Sequence, residues 1–287
     1  MKKKAIIYLS GGLGNQMFQY AFARSLNLKY NMKFEINTTF YSRSFKDQTP
    51  REIGLNFFNF KFKACKDNLL QQIIFKIREK LPDIITSGNS TYYNEKELNI
   101  QNFPNLHLKR INYFRGYWQN YKYFESIKNN LKIDFSLDHN LKNLDRNTLK
   151  QITETNSVCI HVRRTDYLGT DYDVVDVNYY RNAFKKLKSR FDDLRFFIFS
   201  DDISWCNENL SFLPNSTFCS FSILNDFHLM SLCNHFIIPN STFSWWAAYL
   251  SNINNNVKTV IAPSRWHKTN DKLLYNASPP NWIIQNI

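Results

Sequence analysis

A chain of 287 residues, 43% hydrophobic and 16% aromatic, has the length for about two domains with buried cores, which excludes a disordered or fibrous protein. No run of roughly 18 apolar residues occurs, and the lysines at 2–4 lead straight into a strand pattern, so neither a membrane-spanning helix nor a secretion signal is expected. The formal charge of +13 calls for an anionic partner, yet Lys and Arg are scattered rather than gathered into one nucleic-acid-binding arm.

Residues 5–9 (AIIYL) read as a short buried strand, and Met17, Phe18, Ala21, Phe22 and Leu26 behind them recur at helical spacing. Between the two, residues 10–23 (SGGLGNQMFQYAFA) concentrate Gly11, Gly12 and Gly14 in a chain with only seven glycines. A strand–glycine–helix join lets backbone N–H groups and a helix N-terminus face an anion, although a plain βα turn carries the same signature. The stretch is not a complete G-x-G-x-x-G, because Met17 takes the last glycine position, and no G-K-[ST] follows to make a P-loop. Residues 33–37 (KFEIN) alternate as a strand. Residues 68–81 put Leu69, Leu70, Ile73, Ile74, Ile77 and Leu81 on one helical face, as a core-packed helix or, alternatively, a membrane-surface one.

The second half is more regular. Strands are predicted at 157–162, 195–200, 235–239 and 259–263, with helices at 178–187, 226–234 and 241–251. Such alternation predicts a parallel sheet with helices on both faces. Charge and Asn accumulate over 137–151, which sets a first domain at 1–145 and a second at 146–287, with a ligand at the carboxyl ends of strands in a cleft between them. The Asn-rich stretches 140–147 and 252–256 read as surface loops. Five cysteines, odd in number and without C-x-x-C spacing, read as reduced thiols of a cytosolic protein.

Polar residues gather at the predicted strand ends. In HVRRTDY (161–167), strand alternation sends Arg163 and Arg164 to opposite sides. One is expected to meet an anionic ligand through its planar fork, the other an internal carboxylate such as Asp166; ion pairs for both are the alternative. In PNSTFSWW (239–246), Ser241 and Thr242 are either ordinary N-caps or hydroxyls for a phosphate. Asp226 at a helix start is either a cap or an acceptor of two N–H bonds from a guanine edge. Asp171, Tyr172 and Asp173 form a literal D-x-D, the mark of a metal-dependent sugar transferase, but Arg163 and Arg164 already supply the neutralising charge. A polyanion-binding protein remains a third reading; it predicts steep loss of binding with salt and leaves the strand-end motifs unexplained.

The segments SGGLGNQMFQYAFA, GYWQNYKYF (116–124), HVRRTDY, DFHLMSLCNHFIIPNSTFSWWAAYL (226–250) and IAPSRW (261–266) resemble, in that order, those of the bacterial α-1,2-fucosyltransferases of glycosyltransferase family 11. The likeness runs over residues 5–266. It implies an α/β fold of GT-B type, two Rossmann-like domains facing across a cleft, with the glycine loop and acceptor side in the first and the GDP-sugar site in the second. It implies an inverting, metal-independent enzyme, without a cofactor, that moves L-fucose from GDP-fucose to the 2-hydroxyl of a galactose in a bacterial surface glycan. By resemblance, Arg163 is the pyrophosphate ligand with His161 nearby, and Ser241, Thr242 and Phe243 form the phosphate-side helix start. Asp226 reads guanine, and Asp201 joins the GDP-fucose contacts. Gly12 and Gly14 bring backbone to the sugar diphosphate, with Asn15 and Gln16 adding polar contacts. Asp171 is the expected base, with Asp173 and Asp176 as rivals. Thr165 stands where many members carry Gly. The implied partners are GDP-fucose and a galactose-containing glycan, lipid-linked in one form of the expectation, and no nucleic acid. The implied place is the cytoplasm, with peripheral contact at the inner membrane face left open.

Overall fold

The structure, a computed structural model, describes residues 2–42, 52–68, 84–95, 106–137, 141–251, 258–269 and 278–287. The helical stripe expected over 69–81 and the Asn-rich stretch 252–256 lie outside the described residues.

The chain divides into two compact units, Met1–Ser136 and Leu137–Ile287. Residues 137–145 therefore go with the second unit instead of closing the first. The reason is local: the Asn225 amide donates to the carbonyls of Lys142 at 2.9 Å and Asn143 at 3.3 Å. Asp145 in turn caps the following helix, accepting from the Thr148 N–H at 2.6 Å.

The first unit contains β1 (Lys4–Tyr8), α1 (Leu13–Tyr30), β2 (Lys33–Asn37), β3 (Ala64–Cys65), β4 (Ile84–Ser87), β5 (Ser90–Asn94), β6 (Ile111–Arg115) and α2 (Lys128–Asp134). The sheet order is β3-β2-β1-β6-β5-β4. Every pair is parallel except the β4–β5 hairpin at the sheet edge. Helix α1 is buried on nearly every side, as its sequence requires, since Met17, Phe18, Ala21, Phe22 and Leu26 leave little polar face. Phe22 stacks on Trp118 at 4.0 Å and meets Phe114 edge-on at 5.3 Å, so the helix is pinned to β6 and to the loop behind it. Truncating Phe22 to Ala would cost about 3–5 kcal/mol, because the rings around it are fully buried.

The second unit contains α3 (Arg146–Glu154), β7 (Asn156–Val162), α4 (Val177–Lys188), β8 (Leu194–Ser200), α5 (Ile203–Asn209), β9 (Ser216–Cys219), α6 (Ile223–Leu232), β10 (His235–Ile237), α7 (Thr242–Leu250), β11 (Val260–Pro263) and β12 (Ile283–Gln285). Its six strands run parallel in the order β12-β11-β10-β7-β8-β9. Val158, Ile160, Phe196 and Ile198 fill the sheet, and Tyr180, Ala183 and Leu187 of α4 cover one face. The four buried cysteines are free thiols, as is the half-buried Cys65. No helix among the described residues is long and apolar enough to cross a membrane.

Both sheets reverse direction beside their first strand. In the first unit the chain moves from β1 outward to β2, while β6 lies on the other side of β1. In the second it moves from β7 to β8 and β9, and β10 returns to the other flank of β7. A parallel sheet opens a crevice at such a switch point, outside the carboxyl ends of the two diverging strands. The two crevices lie at β1/β6 and β7/β10.

Candidate active site

At the β7/β10 crevice, the carboxyl end of β7 meets the first turn of α7. The His161 ring lies with Nδ1 2.9 Å from Ser244 Oγ, and Ser244 Oγ donates to the Ser241 carbonyl at 3.3 Å. Burial, reinforced by the Arg163 charge, depresses the His161 pKa to about 3. His161 is thus a neutral hydrogen-bonding group, and it cannot serve as a cation for phosphate.

Arg163, just past the end of β7, is held by two carboxylates. Its Nε and Nη2 donate to Asp166 Oδ1 and Oδ2, each at 2.8 Å, and its Nη1 lies 3.2 Å from Asp201 Oδ2. Asp201 acts as a hub: Oδ1 accepts from the Arg164 N–H at 2.9 Å and Oδ2 from Thr165 Oγ1 at 2.6 Å. Its oxygens are occupied in holding the arginine turn. A guanidinium has five N–H donors, so the two carboxylates do not exhaust Arg163, and the clamp fixes the orientation of the remainder.

The structure redistributes the expected pairing. Asp166 holds Arg163, whereas Arg164 pairs with Asp202 at 3.2 Å and lies over the Trp205 ring at 4.1 Å. Both arginines are ion-paired. Asp202 also caps α5 through the Trp205 N–H at 3.1 Å. Thr165, the residue that departs from the glycine pattern, belongs to the clamp through its hydroxyl.

Across the crevice, Ser241 is the N-cap residue of α7 but makes no side-chain cap bond, and Thr242 and Phe243 are half-buried in the first turn. The segment before α7 is anchored by the Asn240 amide, which donates to the carbonyls of Tyr172 at 2.9 Å and Trp266 at 2.8 Å. Phe243 packs against Phe227 of α6 at 5.4 Å, which ties α7 to the helix carrying Asp226.

Asp226 is not the cap of α6. Ser222 takes that role, accepting from the Asn225 N–H at 3.3 Å, and the helix begins three residues before Asp226. Asp226 Oδ1 accepts instead from the Phe221 N–H at 3.1 Å. Burial raises its pKa to about 6, with that backbone bond pulling the other way.

The three candidate bases separate clearly. Asp176 caps α4, accepting from the Tyr179 N–H at 3.0 Å, and Asp173 accepts from the Gly169 N–H at 3.3 Å. Asp171 caps no helix, and its exposed carboxylate has Oδ2 3.7 Å from His267 Nε2. Among the described residues, no group of three or more His, Cys, Asp or Glu side chains is arranged to hold a metal ion.

In the first unit, the glycine loop follows β1. Gly11 takes φ +77°, and a Cβ there would lie 2.5 Å from Asn15 Nδ2, so glycine is required at that position. Gly12 is the N-cap residue of α1 and Gly14 is buried in its first turn. Gln16 is fully buried and bonds backbone only: its amide donates to Gly11 O at 3.1 Å and Glu52 O at 2.8 Å and accepts from the Leu55 N–H at 3.3 Å. Gln16 therefore builds the loop and does not face a ligand. Asn15 is joined to the second loop of this crevice, its Oδ1 accepting from Gln119 Nε2 at 2.8 Å. The motif reading named that second loop without finding the residue that shapes it, Glu95, which precedes it by more than twenty positions and sits in no motif.

A model of Glycosyl transferase family 11 matches residues 2–286. The chain belongs to that family. Among family relatives, an α-1,2-colitosyltransferase of Escherichia coli is 32% identical over 299 residues, covering 96% of each chain. An O-antigen biosynthesis glycosyltransferase of Escherichia coli is 29% identical, covering 92% of this chain and 95% of its own. Galactoside α-(1,2)-fucosyltransferase 2 of Mus musculus is 28% identical over 153 residues, which are 48% of this chain and 44% of its own. Among solved structures, a mutant of Arabidopsis thaliana FUT1 in complex with GDP superposes with a TM-score of 0.51 at 12% identity, covering 88% of this chain and 69% of that one. The shared feature is the fold, the GT-B type with two Rossmann-like α/β units. This family 11 protein is a glycosyltransferase.

Proposed function

We propose that this glycosyltransferase moves L-fucose from GDP-fucose to the 2-hydroxyl of a galactose in a bacterial surface glycan, with inversion at the sugar carbon. The observation that carries the donor side is Arg163, clamped by Asp166 and Asp201 just past the end of β7, the strand that His161 joins to α7 through Ser244. In the reaction the acceptor O2 forms a bond to C1 of the sugar as the bond from C1 to the β-phosphate oxygen breaks. The electron pair goes to the leaving GDP, and the acceptor proton goes to a base. Charge builds on the β-phosphate, so a preoriented guanidinium there favours the transition state over the ground state. Asp171 is the proposed base, because its carboxylate caps no helix and is exposed. Neutral His161 helps orient the α7 start beside the phosphates, and Asp226 is the proposed guanine reader.

The α-1,2 linkage is supported by relatives of both kinds, the colitosyltransferase and the fucosyltransferase. The first of these favours a second reading, in which the donor sugar is colitose, the 3-deoxy form of L-fucose. The two donors differ by one hydroxyl, and a site that hydrogen-bonds that hydroxyl discriminates strongly against its loss. The deciding experiment offers the purified protein GDP-fucose and GDP-colitose in parallel with a panel of galactosides, glucosides and N-acetylglucosaminides. Product linkage is read by NMR. An α-1,2-fucosyl galactoside is expected, formed equally well in excess EDTA. Preference for the 3-deoxy donor moves the assignment to colitose, and loss of activity in EDTA with rescue by Mn²⁺ removes the metal-independent mechanism.

A further inference from the structure

Asp171, the proposed base, sits on an exposed loop, where a side chain left to itself changes rotamer freely. The backbone around it is held. Thr170 Oγ1 donates to the Tyr167 carbonyl at 2.7 Å and accepts from the Tyr172 N–H at 3.1 Å, which folds the chain on either side of Asp171 into a turn. The Asp171 carbonyl accepts from the Lys268 N–H at 2.8 Å, and the Asn240 amide donates to the carbonyls of both Tyr172 and Trp266. The segments after β7, β10 and β11 are thereby stitched together beside the start of α7. One side chain of the segment after β11 reaches the carboxylate itself. His267 Nε2 lies 3.7 Å from Asp171 Oδ2, and its ring meets the Tyr172 ring edge-on at 5.0 Å. The other ring nitrogen is engaged: the Thr269 N–H donates to Nδ1 at 3.2 Å. A backbone amide only donates, so in the neutral ring Nδ1 holds the lone pair and Nε2 the proton.

We propose that His267 is the positioning residue for the base: its Nε2–H holds Asp171 Oδ2 and leaves Oδ1 to take the acceptor proton. The separation of 3.7 Å is about half an ångström beyond a hydrogen bond, the looseness that catalytic contacts show before substrate closes the site. A base held in one orientation meets the acceptor hydroxyl in reactive geometry more often than one that samples several. His267 is not itself the base, since the Thr269 N–H occupies the lone pair that would accept a proton. The inference rests on the reading of Asp171 as the base of the transfer.

The test compares His267→Phe, His267→Gln, Asp171→Asn and the double variant of His267→Phe with Asp171→Asn, using whichever of the two donors wild type turns over. Phe keeps a ring against Tyr172 and loses the N–H, whereas Gln restores an N–H donor at similar reach. His267→Phe should lower kcat about tenfold with donor and acceptor KM within about twofold of wild type, and His267→Gln should recover most of the rate. In the Asp171→Asn background His267→Phe should cost no further rate, because the group it holds is gone. A loss that persists undiminished in that background, or that His267→Gln does not restore, overturns the positioning role. So does wild-type kcat in His267→Phe while Asp171→Asn is slowed, an outcome that leaves the base assignment standing. Wild-type kcat in Asp171→Asn instead removes the base, and the proposal falls with it. One readout needs no turnover: the ¹⁵N shifts of the His267 ring, assigned through His267→Gln, should place the proton of the neutral ring on Nε2. A proton on Nδ1 overturns the proposal whichever sugar is transferred.

Discussion

Arg163 and Asp166 face each other through two parallel bonds of 2.8 Å, so the arginine fork is oriented before any substrate arrives. Lysine keeps the charge but offers a single ammonium in place of the fork. Arg163→Lys is therefore expected to lower kcat about 10²-fold, the scale of losing one preorganised donor. Steady-state rates at saturating donor give the answer. A variant with near wild-type kcat would remove Arg163 from the transition state and leave it as one member of an ion-pair cluster with Asp166 and Asp201.

Arg164 carries the contrasting expectation. Its guanidinium lies 4.1 Å from the Trp205 ring and pairs with Asp202, which caps the same helix. Arg164→Lys should cost about 1 kcal/mol through the lost stacking, lowering the thermal midpoint by about 2–4 °C. GDP affinity by calorimetry should stay near wild type. A larger effect on GDP than on the midpoint would exchange the roles of the two arginines.

What was legible in the sequence follows from the range of the physics involved. The strands at 5–9, 33–37, 157–162 and 195–200 and the helix behind the glycine loop were readable because burial patterns are local. The loop after β6 was readable as a segment, GYWQNYKYF, but its strand was not, since its buried face is Asn112 and Phe114 and polarity there does not follow burial. The pairing of Asp201 with Arg163 and Thr165, and of Glu95 with residues 117–119, joins positions far apart in the chain. Only the parallel register that sets β8 beside β7 brings the first pair together. The motif singled out Arg163 and Arg164 but left open which of them Asp166 would hold; it holds Arg163. Alternation names opposite faces, and it does not say which side a carboxylate three residues later will turn back to.

Two buried groups give stability opposite dependences on pH. The folded pKa of His161 lies at about 3, below its ordinary 6.5, because burial disfavours the charged ring. Its contribution is complete above pH 6.5 and is lost as pH falls toward 3. Glu95 is raised from 4.5 to about 7 by burial, against the pull of three backbone N–H bonds. Its contribution is complete below pH 4.5 and is lost as pH rises through 7. His235 (about 4) and Asp226 (about 6) add one slope of each sign. Between pH 4.5 and 6.5 each group changes stability by up to about 1.4 kcal/mol per pH unit. Relative to wild type, Glu95→Gln should make the thermal midpoint rise more steeply with pH over this window. His161→Gln should make it rise less steeply or fall. Parallel pH curves for wild type and both variants would show that neither group titrates as its burial requires.

Asp226 is expected to select guanine, and its raised pKa makes that selection visible in pH. Only the ionised carboxylate has acceptors alone, matching the two adjacent donors of guanine, N1–H and the exocyclic N2–H. With a pKa of about 6 in the free protein, the group must shed a proton before GDP binds at lower pH. GDP affinity should therefore be intact above the pKa and weaken about tenfold between pH 7 and pH 5. IDP lacks the exocyclic donor and should bind wild type about 1–3 kcal/mol more weakly than GDP. Asp226→Asn turns an amide N–H₂ toward the base, so GDP affinity falls, the GDP/IDP gap narrows and the excess pH dependence over the phosphate's own disappears. The helix survives the change, because Ser222 holds its N-terminus. Calorimetry of GDP and IDP at pH 5 and pH 7 against both proteins measures all three effects. If the Asn variant keeps both the gap and the pH dependence, Asp226 serves only the turn at Phe221, and guanine must be read by another group.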